Sequence, residues 1–195
     1  MKQIIYLWFA FIISVFVPAS NADPAVTVQT LANSCVACHG PEGGSLGPAS
    51  PSIAGLSRDY FIDVMNAYKR EEIPATIMSR IAKGYSAEEI KHLADYFSKR
   101  AMVSAKQDFN KKKARKGKKI HKKYCNKCHA SGGSDAGDDA GILAGQWALY
   151  LKYTLQDFST GKRPMSKKKQ KQIDKLMKQQ GDAGVEALLH YYKSQ

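Results

Sequence analysis

A five-residue pattern occurs twice in this chain. Cys35-Val36-Ala37-Cys38-His39 is the first copy, and Cys125-Asn126-Lys127-Cys128-His129 follows 90 positions later. The two copies use all four cysteines. C-x-x-C-H is the attachment pattern of a c-type haem. The two thiols add across the vinyl groups, and the adjoining histidine is placed to bind iron from one side. A zinc ribbon would want its second cysteine pair much closer in sequence, and a dithiol redox pair needs no histidine beside it in both copies. The pattern therefore predicts two covalent haems, attached through Cys35, Cys38, Cys125 and Cys128, with His39 and His129 as proximal iron ligands.

Two such sites in 195 residues favour two small domains over one large one. A domain of about 80 residues builds only a modest core from side chains, and a large apolar group at its centre relieves that shortage. The expected division is a leader over residues 1–22, a first domain over 23–104, a basic linker over 105–119 and a second domain over 120–195.

The leader is read from Lys2, the apolar run Ile4 to Val17, Pro18, and the small residues Ser20-Asn21-Ala22. The run is short for a membrane span, so a signal peptide cleaved after Ala22 is expected, leaving no transmembrane anchor. Export to the periplasm suits the motif. An unloaded C-x-x-C pair in that oxidising compartment would tend to close as a disulfide.

Charge is divided unevenly. Residues 23–104 carry 8 basic and 9 acidic side chains, whereas 105–195 carry 21 and 8. Seven of the nine residues from Lys111 to Lys119 are basic, which reads as a solvated helix face or linker. Aromatic residues do not interleave with them, and the chain is exported, so a nucleic-acid partner is excluded.

Along the first half, Thr27 to Cys38 reads as a short helix delivering the motif, and Gly40 to Ser52 as a loop. A helix beginning at Arg58 or Asp59 places Tyr60, Phe61, Val64, Met65 and Tyr68 at helical spacing. Ser86-Ala87-Glu88-Glu89 is a capping box opening a helix with Ile90, Leu93, Ala94 and Phe97 on one face. The second half repeats the first at an offset of 90: Ala54-Gly55 matches Ala144-Gly145, Tyr60 matches Tyr150, and Tyr68 matches Phe158. Each glycine lies 16 residues after its motif histidine. Lys168 to Gln180 and Ala183 to Tyr192 read as helices split at Gly181. The order of helix, motif, loop, helix, methionine and closing helix resembles a small class I cytochrome c. The expected fold is all-α, with two tandem domains of that class related by duplication.

A second axial ligand would close each iron against substrate, and methionine sulfur raises the potential of such a haem. Met78 lies between Pro74 and the closing helix, where a side chain can reach back across the ring. Met165 follows Pro164 in the equivalent place, at an offset of 87 because the second copy is three residues shorter there. These two are the expected ligands, with Met177 as the fallback for the second site. Met65 and Met102 read as packing or surface residues. His92, His121 and His190 receive no ligand role. Pro51 lies in the loop that offers a carbonyl to the proximal histidine of class I cytochromes, and Gly141 stands at the matching position.

Several stretches carry a closer resemblance. Gly47 to Ala54, Thr76 to Ser86, Ile142-Leu143-Ala144-Gly145-Gln146-Trp147, Arg163-Pro164-Met165 and Gly181 to Gly184 are similar to the dihaem cytochrome subunits of flavocytochrome c sulfide dehydrogenases. The Leu-Ala-Gly-Gln motif is shared with soluble dihaem cytochromes c, so Thr76 to Ser86 discriminates better. The lysine-rich stretch and Ser166-Lys167-Lys168-Lys169 depart from the resemblance. It implies a heterodimer with an FAD-containing, sulfide-oxidising subunit, FAD being on that partner only. Electrons would enter at the first haem, pass to the second and leave to a soluble acceptor, and the basic second half suits an encounter with an acidic acceptor or an anionic membrane surface. This chain would perform no catalysis on its own. The alternative is a free-standing dihaem shuttle serving a terminal oxidase.

Overall fold

The computed structural model describes residues 24–195, so the leader expected over 1–22 lies outside the described residues. These hold eight α-helices: α1 Pro24–Asn33, α2 Val36–His39, α3 Arg58–Lys69, α4 Met78–Lys83, α5 Ala87–Ser98, α6 Lys111–Tyr124, α7 Ala148–Ser159 and α8 Lys167–Lys193. The apolar positions of these helices collect into two cores. In the first, Phe61 and Met65 of α3 and Ala82 of α4 meet Ile90, Leu93, Ala94 and Phe97 of α5. The Phe61 and Phe97 rings stack with centroids 5.7 Å apart. In the second, Ile120 and Tyr124 of α6 and Leu151 of α7 pack against Leu176, Ala187, Leu188, Tyr191 and Tyr192 of α8. The fold is all-α and built as two tandem units of one design.

Local chemistry sets the helix ends. The Ser57 hydroxyl accepts from the Tyr60 N–H at the start of α3. At α5 the capping box is complete: Ser86 Oγ accepts from the Glu89 N–H, and Glu89 Oε2 accepts from the Ser86 N–H. Two expectations need correction. The helix predicted over Thr27 to Cys38 is broken between Asn33 and Val36, where Ser34 Oγ turns back to donate to the Leu31 carbonyl at 2.6 Å.

The second correction concerns the basic linker. Residues 111–119 are the first turns of α6, which runs on through the expected boundary at 120 to the second motif. Asn110 caps this helix by accepting from the Lys112 and Lys113 N–H groups. Ala114, Gly117, Ile120, His121 and Tyr124 form a buried stripe, while the lysines between them are exposed. At Gly117 a β-carbon would run into the Ala187 carbonyl and the Tyr191 side chain. The glycine lets α6 and α8 approach backbone to backbone. Helix α8 is interrupted at Gly181, whose φ of 54° and ψ of −156° leave the helical region, as the sequence predicted.

Polar contacts join the two units. Gln146, 2 % exposed, accepts from the Ser52 N–H through Oε1 and donates to the Ser52 carbonyl through Nε2, both at 2.9 Å. Beside it, Trp147 Nε1 donates to the Ser45 carbonyl at 3.0 Å, and the indole lies where a side chain at Gly47 would stand. The segment between the units is tied down too, with the Ala105 N–H donating to the Gly145 carbonyl at 2.7 Å.

Candidate haem sites

Both motifs adopt the same turn. The His39 N–H donates to the Cys35 carbonyl at 2.8 Å, and the His129 N–H to the Cys125 carbonyl at 3.0 Å. Three-residue spacing within such a turn sets both sulfurs toward one side of the backbone, with histidine next in line. None of the four sulfurs is in a disulfide.

The loops after the motifs superimpose in their bonding. The Gly43 carbonyl accepts from the Ile53 and Ala54 N–H groups, and the Gly133 carbonyl accepts from Leu143 and Ala144. Those bonds bring each loop back over its histidine. His39 Nδ1 lies 2.8 Å from the Pro51 carbonyl, and His129 Nδ1 lies 3.0 Å from the Gly141 carbonyl. The expected acceptor role of Pro51 is therefore observed, and Gly141 fills the matching role although it is a different residue. A backbone carbonyl has no side chain to lose.

This bond fixes the tautomer. With Nδ1–H donating to a carbonyl, Nε2 keeps its lone pair for a metal. Burial pulls both imidazoles below their ordinary range, and the carbonyl bonds oppose that pull. A neutral ring is the form that ligates iron. Among the described residues no group of three or more His, Cys, Asp or Glu side chains assembles that could hold a bare metal ion. One imidazole per motif, beside two thiols in attachment spacing, fits an iron that arrives within its own macrocycle.

The methionines fall in different settings. Met78 opens α4 and packs, half-buried, against the first core. Met165 is half-buried in the turn before α8, one residue ahead of the Ser166 cap. Met65 is buried in the first core, Met102 packs near Gly55, and Met177 is half-buried on α8. Among the remaining histidines, His92 is exposed, and His190 Nδ1 accepts from the Asn110 N–H. His121 was not marked by the sequence as a site residue, yet it is 2 % exposed, one helical turn ahead of Cys125. Its Nδ1 lies 3.0 Å from the Tyr192 hydroxyl, and the first repeat has Leu31 at the equivalent position. A histidine on a lysine-rich helix gives no signal of burial until the helix is seen to be amphipathic.

Comparison with known proteins places this geometry. The family model described as "Cytochrome C oxidase, cbb3-type, subunit III" matches residues 22–97. The cytochrome subunit of sulfide dehydrogenase from Chlorobaculum tepidum is 40 % identical over 82 residues, covering 39 % of this chain and 74 % of that protein. The thiosulfate dehydrogenase electron acceptor of Stutzerimonas stutzeri is 39 % identical over 67 residues, and the match spans 33 % of this chain and only 31 % of that relative. The crystal structure of reduced recombinant cytochrome c4 from Pseudomonas stutzeri superimposes with a TM-score of 0.72 at 25 % identity, covering 88 % of this chain and 98 % of that one. Two copies of the attachment turn, two matched histidine loops and these likenesses together show that the chain belongs to the c-type cytochromes, as an electron-transfer protein of class I carrying two covalent haems c.

Proposed function

We propose that this chain is the periplasmic electron-transfer subunit of a sulfide dehydrogenase, paired with a flavoprotein that carries the FAD. Bound haem supplies reversible one-electron chemistry. Cys35, Cys38, Cys125 and Cys128 would hold the two groups, and His39, Met78, His129 and Met165 would supply the protein ligands to their irons. The first repeat receives electrons from the dehydrogenase, and the second delivers them to an outside acceptor.

The observation that carries the reading is the 40 % identity to a cytochrome subunit of a sulfide dehydrogenase. The surfaces support the division of labour. Among the described residues, five of the seven exposed large apolar side chains belong to the first repeat: Val36, Leu46, Ile77, Ile81 and Val103. Leu46 is 83 % exposed. Apolar surface with little net charge suits a lasting contact. On the second repeat, Lys112, Arg115, Lys116, Lys119 and Lys122 project from α6, and none has an acidic partner among the described residues. Unpaired basic residues suit fast encounter with an acidic acceptor.

The test is to purify the haem-loaded chain under mild conditions from its own host and add sulfide. Co-purifying flavin together with sulfide-dependent haem reduction is expected. A flavin-free protein that sulfide leaves oxidised even in host extract would sink the assignment. A second reading, a free dihaem shuttle serving a terminal oxidase, is favoured by the superposition on cytochrome c4, which takes in 88 % of this chain and 98 % of that one. Under it, the flavin-free protein would reduce an oxidase directly.

A further inference from the structure

His121 on α6 is 2 % exposed, and Tyr192 on α8 is 5 % exposed. The imidazole Nδ1 lies 3.0 Å from the phenol oxygen, and the two rings meet edge to face with centroids 5.6 Å apart. Neither residue has a polar counterpart in the first repeat. Leu31 stands at the position of His121. Phe97 matches Tyr192, because its carbonyl accepts from the Gly55 N–H at 2.9 Å just as the Tyr192 carbonyl accepts from Gly145. An apolar pair in one repeat is thus replaced by a hydrogen-bonded pair in the other. Buried polar groups are costly unless each of their protons meets an acceptor.

A neutral imidazole carries one N–H and a phenol one O–H. His121 stays neutral because burial lowers its affinity for a second proton. Its Nε2 has no hydrogen-bond partner among the described residues. Were the phenol to donate to Nδ1, the imidazole proton would sit on Nε2, buried with nothing to accept it. With that proton on Nδ1, the imidazole donates to the phenol oxygen and the phenol proton is left to point elsewhere. The sulfur of Cys125 is the group beside it. Cys125 packs against the same core as Tyr192, and its N–H donates to the His121 carbonyl at 2.8 Å. Burial raises both the phenol and the Cys125 thiol, the latter to about 11; the sulfur then lifts the phenol further, while the phenol draws the thiol down. Those opposite signs are what an O–H turned toward sulfur produces. The Tyr192 ring also lies against Gly133, 3.2 Å from where a β-carbon would stand, so its direction is fixed from two sides.

We propose that His121 positions Tyr192 to donate its hydroxyl proton to the Cys125 sulfur once that sulfur is joined to haem, and that this bond raises the potential of the second haem alone. A thioether has no proton of its own and can only accept. The positive end of an O–H dipole beside the macrocycle disfavours the oxidised, more positive iron, and in dry surroundings that effect is weakly screened. Leu31 and Phe97 supply no such dipole to the first site. The sharing of an electron between the repeats is thereby tilted toward the second. The proposal rests on haem attachment and is independent of which dehydrogenase supplies the electrons.

The experiment combines spectroelectrochemistry with resonance Raman spectroscopy on the full, haem-loaded chain. In Tyr192→Phe, which copies the first repeat, one midpoint should fall by about threefold in the one-electron equilibrium, roughly 28 mV at about 59 mV per tenfold, while the other stays in place. Exchange into heavy water should shift a carbon–sulfur stretching band more in wild type than in Tyr192→Phe, because an exchangeable proton sits on that sulfur. His121→Leu should reproduce both changes in part. His121→Asn, whose amide N–H stands near the Nδ1 position, should restore them toward wild type. Added to Tyr192→Phe, His121→Leu should move the midpoint no further, since the imidazole acts only through the phenol. Midpoints that stay put in Tyr192→Phe overturn the proposal, as does a midpoint that rises or a deuterium shift that survives there in full. If Tyr192→Phe does not retain both haems, His121→Leu decides by the same two readouts, and unchanged midpoints and deuterium shift overturn the proposal.

Discussion

Gln146 grips Ser52 by both backbone groups, accepting from its N–H and donating to its carbonyl at 2.9 Å each. The two residues are 94 positions apart and belong to different repeats. Ser52 also adjoins Pro51, whose carbonyl holds His39, so the bond between the units is one residue away from the orientation of a haem ligand.

Replacing Gln146 by Leu keeps the volume and strands the buried N–H and carbonyl of Ser52. Each unsatisfied group costs about 1–3 kcal/mol, so a combined loss of about 2–6 kcal/mol is expected. Denaturant unfolding of the haem-loaded protein measures it. A change below about 0.5 kcal/mol, the range of an ordinary surface substitution, would show that the clasp does not hold the repeats together.

Met78→Ala and Met165→Ala test the axial ligands separately. Each should remove the sulfur-to-iron charge-transfer band of one haem and open that iron to carbon monoxide. Should Met165→Ala leave the spectrum intact while Met177→Ala abolishes the band, the second ligand is Met177.

Gly117→Leu forces a side chain into the Ala187 carbonyl. Overpacking of this kind costs about 1–3 kcal/mol, whereas Lys116→Ala, one residue away on the exposed face, should stay within about 0.5 kcal/mol. Comparing the two unfolding midpoints separates packing from charge on one helix. Equal midpoints would contradict close contact between α6 and α8.

Burial pushes the Tyr68 hydroxyl up to about 12, and burial raises Tyr60 and Tyr192 as well. In the unfolded chain these phenols ionise near pH 10. Between about pH 10 and 12 the folded state therefore binds more protons than the unfolded one, and stability falls as pH rises. The stabilisation is complete below pH 10 and is lost through the folded-state value. Ultraviolet titration should show a slow fraction of tyrosines ionising only as the protein opens, and a single transition near pH 10 for every tyrosine would refute this.

Reduction of an acidic acceptor by the loaded chain should slow several-fold between low and physiological ionic strength, because exposed charges are screened within about 8 Å at 0.15 M. Lys-to-Gln changes at Lys112, Lys116 and Lys119 should weaken that salt dependence. A rate insensitive to salt in wild type would mean that the basic face does not guide the acceptor.

Much of this was legible in the sequence. The attachment motifs, the offset of 90, the Ser86 capping box, the Pro51 carbonyl and the break at Gly181 all rest on local chemistry that residue types reveal. The missed features depend on partners remote in sequence. Seven basic residues in nine concealed a buried stripe whose first members are Ala114 and Gly117, small residues that register weakly in an apolar pattern. Gln146 belonged to a recognisable motif, yet nothing in the motif says that its amide is buried against another domain. Ser34 broke a helix with a single side-chain bond, which periodicity alone does not register.

The close approach at Gly117 has a physical consequence for the whole molecule. Because the buried stripe of α6 packs on α8, its lysines leave the helix from the exposed face. They belong to a unit of net charge +13, joined to one of net charge −1. Such a chain is a permanent dipole, and the field of an acidic surface exerts a torque on it before any atoms touch. It turns basic end first, leaving the neutral end pointing away and free. Under the proposed function, the held partner and the passing one would then engage opposite ends without competing for the same face.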